Sequence, residues 1–101
     1  MLKSVQIELV KPLNQELLIF LKDCRSLLEP KGTIEITSTP RLLPVPYAKL
    51  GSSGGGSLTE QQAVANSPIA QMLREAGFTG RLTVSRTAHL GSVRTHLIAA
   101  V

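Results

Sequence analysis

The chain has little of what several protein classes require. Aromatic residues are confined to Phe20, Tyr47 and Phe78, and there is no tryptophan. The single cysteine, Cys24, cannot form an internal disulfide, and a zinc site normally takes several ligands. No apolar run approaches the ~20 residues that span a bilayer. The first ten residues alternate apolar with polar side chains, unlike a secretory signal. These absences predict a cytoplasmic protein with an aliphatic core.

The composition is typical of one globular domain. The 101 residues are 43% apolar and 18% charged, and a chain of this size buries roughly two-thirds of its unfolded surface. The net charge of +4 is spread along the chain without a block. It permits contact with an acidic partner but does not indicate nucleic acid. We therefore expect residues 1–101 to form a single domain.

The first third of the chain has the pattern of a strand, a helix and a second strand. Val5, Ile7 and Leu9 alternate with polar residues, as in a strand with one buried face. Asn14 is a good helix N-cap. The residues that follow at helical spacing are Leu17, Leu18, Leu21, Cys24, Leu27 and Leu28. A turn at 29–32 and a strand at 33–38 would complete a right-handed βαβ unit with parallel strands.

A long loop is predicted at residues 39–58. Pro40, Pro44 and Pro46 interrupt regular structure, and a Gly/Ser-rich run occupies 51–57. A loop of this length in a small domain is usually functional, disordered or engineered. We expect it to be mobile, at least at 51–57, and both a native loop and a designed linker remain open as its origin.

The second half predicts one further helix and a hairpin. Thr59 and Gln62 have the pattern of a capping box, which predicts the start of a helix. Ser67–Pro68 predicts that the helix starts again there. Its buried stripe would be Ile69, Met72, Leu73 and Ala76, with Gly77 as the C-terminal cap. Strands at 81–87 and 93–101 would follow. The predicted fold is α/β, with the order β-α-β-α-β-β, an antiparallel last strand and the spatial order 1-2-4-3. The apolar end of that last strand suggests burial on both faces.

No motif for catalysis or metal binding stands out. The Gly-rich run lacks the lysine of a phosphate-binding loop, and no G-x-S-x-G occurs. His89 and His96 have no cysteine or carboxylate near them in sequence, so surface positions are favoured. Cys24 lies on a helical apolar stripe, where a buried structural thiol is expected.

The candidate partner-binding residues lie in the loop and the hairpin. Tyr and Arg are enriched at interfaces, which selects Arg41, Tyr47 and Lys49 in the loop and a second group in the hairpin. That second group is Arg81, Arg86 and Arg94. The alternative for both groups is a solvated surface without a partner. We expect the working surface to include the loop and polar helix residues rather than a deep pocket.

Two segments carry a family resemblance. Residues 17–38 resemble the helix, proline-glycine turn and fifth strand of class I S-adenosylmethionine-dependent methyltransferases. Residues 69–83 look like the later helix, the turn containing Ala-Gly-Phe and the sixth strand of that family, and the closing hairpin resembles its antiparallel seventh strand, which inserts between the fifth and sixth. The resemblance implies a half-Rossmann, methyltransferase-like sheet. The chain begins at what resembles the fourth strand, so the family's cofactor-binding half has no counterpart, and no S-adenosylmethionine binding is expected.

A methyltransferase-like domain without its cofactor half is similar to the N-terminal domain of the anamorsin family. This resemblance implies a non-catalytic docking domain in cytosolic iron–sulfur cluster assembly, with a diflavin reductase as partner. It implies no cofactor in this chain, because the family's cluster-binding Cys motifs have no counterpart here. The alternatives are half of a methyltransferase completed by another chain, and a small basic nucleic-acid-binding module.

Overall fold

The computed structural model describes residues 1–43 and 64–101, and for His89 the backbone alone. These residues form a mixed α/β fold with a four-stranded open sheet and two helices. The strands are β1 (Leu2–Glu8), β2 (Leu28–Ser38), β3 (Leu82–His89) and β4 (Ser92–Ala100). The helices are α1 (Gln15–Leu27) and α2 (Pro68–Ala76).

The last strand lies inside the sheet. The strand order is β1-β2-β4-β3, so β4 is hydrogen-bonded on both sides, in the internal position that its apolar sequence predicts. β1 pairs with β2 in parallel, and β4 is antiparallel to both β2 and β3. It follows that β1, β2 and β3 all run in the same direction.

The two helices cover one face of the sheet. The chain passes from β1 to β2 to β3 in one direction across the sheet, and right-handed crossovers in one direction leave both helices on the same side. Burial agrees, because Leu97 and Ala99 are buried while Ile98 between them is 37% exposed. The expectation that β4 is buried on both faces is therefore wrong. One face of its apolar run has no helix above it in the described chain.

A single aliphatic core lies between the sheet and the helices. Phe78 is its one aromatic member and is 1% exposed. Its other buried members are Leu9, Leu18, Leu21, Cys24, Leu28, Ile34, Ile36, Leu43, Ile69, Leu73, Ala76, Leu97 and Ala99. No helix within the described ranges is long and apolar enough to cross a bilayer.

Helix α1 begins as predicted, and its end differs in detail. The Asn14 side chain accepts a hydrogen bond of 2.9 Å from the backbone N–H of Leu17. Leu27, predicted on the buried stripe, is 56% exposed. β2 starts directly at Leu28, so residues 29–32 belong to that strand rather than to a separate turn. An irregularity in the β1–β2 register accommodates them.

Helix α2 follows the predicted pattern at its buried face and its C-terminal cap, but not at its N-terminal cap. Ile69, Leu73 and Ala76 are buried, and Gly77 ends the helix at φ +107°. Ser67 precedes Pro68, but its hydroxyl donates to the Val64 carbonyl at 2.6 Å instead of capping α2. The capping box proposed for Thr59 and Gln62 lies outside the described residues.

The final hairpin is tighter than predicted. Its turn consists of Leu90 and Gly91, with φ angles of +51° and +80°. Two-residue hairpin turns with positive φ at both positions match the twist of the flanking strands. The strands therefore extend one or two residues closer to the turn than the sequence pattern predicts.

The start of the long loop is structured. Leu42 and Leu43 donate backbone hydrogen bonds to the Thr39 carbonyl, at 3.2 and 3.0 Å. Leu43 is fully buried in the core. The mobility predicted for the loop at 39–58 stays a prediction, and its residues from 44 onward lie outside the described residues.

Candidate interaction surface

The sheet face away from the helices, here called the open face, carries most of the polar side chains of the strands. Strand register places them in rows, because Thr37 lies opposite His96 and Glu35 lies opposite Ile98. The open face consists of Gln6, Glu8, Thr33, Glu35, Thr37, Thr83, Ser85, Thr87, Arg94, His96 and Ile98.

An ion pair on the open face crosses strand β2. The Arg94 guanidinium on β4 donates to the Glu8 carboxylate on β1, and β2 lies between the two strands. The side chains are 41% and 57% exposed, respectively. Water screens the pair at this exposure, so it contributes little to stability.

His96 connects three strands near the middle of the open face. Its Nε2 lies 2.9 Å from the Thr87 hydroxyl on β3, and its Nδ1 lies 3.9 Å from Oε1 of Glu35 on β2. Hydroxyl, imidazole and carboxylate follow the order of a nucleophilic triad. The imidazole–carboxylate separation, however, exceeds hydrogen-bond length. We interpret the three groups as cross-strand contacts that hold the imidazole in place.

Ile98 is the apolar centre of the open face. It is 37% exposed, and its neighbours across β2 and β3 are Glu35 and Thr83. An apolar side chain surrounded by polar and charged groups resembles a small protein interface, which has an apolar centre and a polar rim.

The structure separates the hairpin arginines. Arg94 points to the open face, whereas Arg86 lies opposite the buried Thr95 on the covered face. Arg81 precedes β3 at the other end of the strand, where its carbonyl accepts from the Ala100 N–H. The three do not form a single patch.

The predicted loop residues are only partly described. Arg41 is exposed in the turn after β2. This turn lies at the same end of the sheet as Arg94, because Ser38 pairs with Thr95. Tyr47 and Lys49 lie outside the described residues, and their role in partner binding stays a prediction.

An open concavity lies at the tip of the hairpin. It has a volume of about 330 Å³ and is lined by Thr87, Leu90, Ser92 and Arg94. Its lining is mostly apolar, with two hydroxyls and a guanidinium among the lining groups. It is continuous with the open face through Thr87 and Arg94.

Cys24 is buried, as its place on the helical stripe predicts. Burial raises the pKa of its thiol, and the negative charge of Asp23 raises it further. The thiol is therefore protonated and a weak nucleophile at neutral pH. Within residues 1–43 and 64–101, no three His, Cys, Asp or Glu side chains are grouped as metal ligands.

Sequence reasoning did not find the contacts of His96 and of Arg94. Their partners, Glu35 and Glu8, are 61 and 86 residues away along the chain. Only the pairing of β2 with β4 and of β1 with β2 brings these groups together. The available signal was the alternation of polar residues on each strand. This alternation predicts which side chains share a face of the sheet, but not which residues of other strands lie beside them.

Comparison of the chain with known protein families and with curated proteins finds no significant match. The resemblance to the methyltransferase and anamorsin families therefore depends on the sequence pattern alone.

Proposed function

We propose that this chain is a non-catalytic protein-interaction domain that docks a partner on its open face. The observation that carries the proposal is the one-directional path of the chain across the sheet. Doubly wound folds bind ligands where the strand order reverses, with helices on both faces. In the described sheet the path from β1 through β2 to β3 does not reverse. Within residues 1–43 and 64–101, such a path leaves one sheet face without a helix above it instead of a ligand crevice between helices.

The size of the open face favours a transient partner. Four strands about 4.8 Å apart and about seven residues long present a projected area on the order of 400 Å². Stable complexes typically bury about 800 Å² per partner, whereas weak redox encounters bury less. The open face therefore fits an encounter that forms and dissociates quickly, unless other surfaces of the chain contribute.

The identity of the partner follows from the family resemblance. An anamorsin-like domain would dock an electron-donating diflavin reductase during cytosolic iron–sulfur cluster assembly. The clusters would be held by Cys motifs elsewhere in the assembly, and this chain would carry neither a cluster nor S-adenosylmethionine. The small open face and the net charge of +4 support a short-lived, charge-assisted contact of this kind.

The proposal is tested by measuring the affinity of the chain for a diflavin reductase. Ile98→Asp places a charge at the centre of the open face and is expected to weaken binding at least tenfold. The matched control is Ile19→Asp on α1, because Ile19 is 55% exposed but lies on a helix. Circular dichroism should show both variants folded.

Other outcomes favour the rival functions. Saturable binding of S-adenosylmethionine at micromolar concentration would support half of a methyltransferase. A salt-dependent shift with DNA or RNA would support a nucleic-acid module, because phosphate contacts release counterions. Loss of reductase binding in Ile19→Asp alone would move the docking surface to α1. Absence of binding by the wild-type chain would remove the reductase from the proposal.

A further inference from the structure

Glu35 is an unmatched charge beside the apolar centre of the open face. It lies on the internal strand β2, opposite Gln6 on β1 and Ile98 on β4, and its side chain is 29% exposed. No described residue donates a hydrogen bond to its carboxylate. The other carboxylate of the open face, that of Glu8, already pairs with Arg94. Glu35 is therefore a partly covered anion without a permanently charged partner among the described residues.

His96 is placed to neutralise this carboxylate. Its Nδ1 lies 3.9 Å from Oε1 of Glu35, while its Nε2 lies 2.9 Å from the Thr87 hydroxyl. Histidine changes its charge between about pH 5 and 8, and a protonated imidazole donates from both nitrogens. Protonation therefore adds a cation that faces Glu35, whereas the neutral ring leaves the carboxylate unmatched.

The other groups around His96 are neutral or already paired. Opposite it, β2 presents Thr37 and β3 presents Ser85. Arg94, two residues away on the same strand, binds Glu8 of β1. Both helices lie on the other face of the sheet. Among the described side chains, the match between positive and negative charge on the open face thus depends on the protonation of His96.

A docked partner makes the unmatched carboxylate costly. Docking removes water from Glu35, and a desolvated charge without a partner weakens a complex. An apolar or acidic surface would leave the carboxylate in that state, whereas a lysine or arginine of the partner would pair with it. Ile98, opposite Glu35 on β4, favours an apolar side chain next to that cation.

We propose that the open face selects a partner that presents lysine or arginine beside an apolar side chain, and that protonation of His96 weakens this contact. The cation of the partner lies against Glu35 and the apolar side chain against Ile98. At lower pH the imidazolium of His96 takes the place of the cation. The inference rests on the proposed docking at the open face and adds the chemistry that this face recognises. The net charge of +4 acts on the approach of a partner at long range, whereas Glu35 acts at contact.

The test uses capped dipeptides and the complete chain in 0.15 M salt, which screens long-range attraction and repulsion. NMR shifts of the β4 amides report the binding of acetyl-Arg-Ile-amide and of acetyl-Gln-Ile-amide at pH 8 and pH 5.5. At pH 8 the arginine peptide is expected to bind in the millimolar range, about threefold more tightly than the glutamine peptide, because partly exposed charge pairs contribute modestly. At pH 5.5 this preference should disappear.

Three variants separate the roles of the charged groups. Glu35→Gln should remove the preference for arginine at both pH values. His96→Gln should show the preference at pH 8 and keep it at pH 5.5, because the competing cation is absent. Glu16→Gln is the matched control, since Glu16 is an exposed acidic residue on α1, and it should behave as the wild type. Circular dichroism should show all three variants folded.

Several results would overturn the inference. No binding of either peptide, or equal affinity for the two at pH 8, would show that the open face does not recognise a cation. A preference that survives Glu35→Gln would place the cation elsewhere, and a pH dependence that survives His96→Gln would exclude the histidine as the competing group. Because the comparison of the two peptides leaves the protein untouched, misfolding of a variant cannot hide the answer.

This inference and the proposed function fail separately. If the reductase binds and Ile98→Asp weakens that binding while the chain does not distinguish the peptides, the inference about the cation is wrong and the proposed function stands. If the arginine peptide shows the expected preference but the reductase does not bind, the reductase is wrong and the recognition of a cation at Glu35 stands.

Discussion

The Arg94 guanidinium on β4 pairs with the Glu8 carboxylate on β1 across the intervening strand β2. The two residues are 86 positions apart in the sequence. Their contact links the first strand to the last on the open face. Both side chains are substantially exposed, so the ion pair orients surface charge and contributes little to the stability of the fold.

The coupling between Glu8 and Arg94 should be small. A double-mutant cycle with Glu8→Gln and Arg94→Gln is expected to give an interaction free energy below about 1 kcal/mol, falling as salt increases. Urea unfolding at low and high ionic strength measures it. A coupling of several kcal/mol that persists in high salt would show that the pair is shielded from water.

Replacing Thr95 by valine should stabilise the protein by about 1 kcal/mol. Thr95 is fully buried, and its hydroxyl has no hydrogen-bond partner among the described residues. A buried polar group without a partner bears a desolvation cost of about 1–3 kcal/mol, which a methyl group of similar shape avoids. Thermal or urea unfolding of Thr95→Val measures the change.

Ser38 provides the matched control for Thr95, because the two residues lie opposite each other in the β2–β4 pair. The Ser38 hydroxyl donates a 2.6 Å hydrogen bond to the Leu9 carbonyl. Ser38→Ala should therefore destabilise by about 1–2 kcal/mol. A loss of stability in Thr95→Val would indicate that its hydroxyl is bonded by a group beyond the described residues.

Stability should decline at alkaline pH because of Cys24. Its pKa is raised in the folded state by burial and then by Asp23, so the unfolded thiol loses its proton first. The associated stability is complete below the unfolded pKa of about 8.5 and is lost as pH rises toward the folded pKa. The slope from this one group is at most about 1.4 kcal/mol per pH unit.

Cys24→Ala isolates the contribution of the thiol. The variant loses packing at every pH, but its stability should fall less steeply than that of the wild type between pH 8 and 10. Thiol labelling supplies a second measurement, since the native protein should react far more slowly than the urea-unfolded chain. Parallel pH profiles for the two proteins would contradict the assignment.

The two left-handed glycines should differ in their tolerance of alanine. Gly77 has a φ of +107°, and an added Cβ would lie 3.0 Å from Cγ of Arg25. Gly91 has a φ of +80° but no atom within 4 Å of an added Cβ. Both substitutions incur the cost of about 1–2 kcal/mol for a left-handed side chain, and Gly77→Ala should cost more.

Substitution by asparagine distinguishes the two causes of destabilisation at Gly77 and Gly91, which are the left-handed backbone and the contact with Arg25. Gly91→Asn should be milder than Gly91→Ala, because asparagine tolerates left-handed backbone. At Gly77 the asparagine side chain would still contact Arg25. The gain in stability of asparagine over alanine should therefore be smaller at Gly77 than at Gly91. Unfolding free energies of the four variants provide the measurement, and equal costs at both positions would show that the Arg25 side chain moves aside freely.

Local features of the sequence predicted most of the secondary structure. Three such features are present in the structure: the alternation at Val5, Ile7 and Leu9, the helix N-cap at Asn14 and the helix C-cap at Gly77. Each depends only on residues close to it in the sequence. Errors arose where a longer-range contact decided the outcome. Residues 29–32 look like a turn, but they lie inside β2, between the pairings of Leu28 with Leu2 and of Thr33 with Ser4.

The sequence by itself determined the order of strands and helices, the aliphatic nature of the core and the internal place of β4, because periodicity and hydrophobicity are local properties. Tertiary structure decided which polar groups meet. The turn at Leu90 and Gly91 sets a hairpin register that puts Arg86 and Arg94 on opposite faces. A shift of one residue reverses every side chain of a strand, so the contacts of the open face depend on pairings that no single segment encodes.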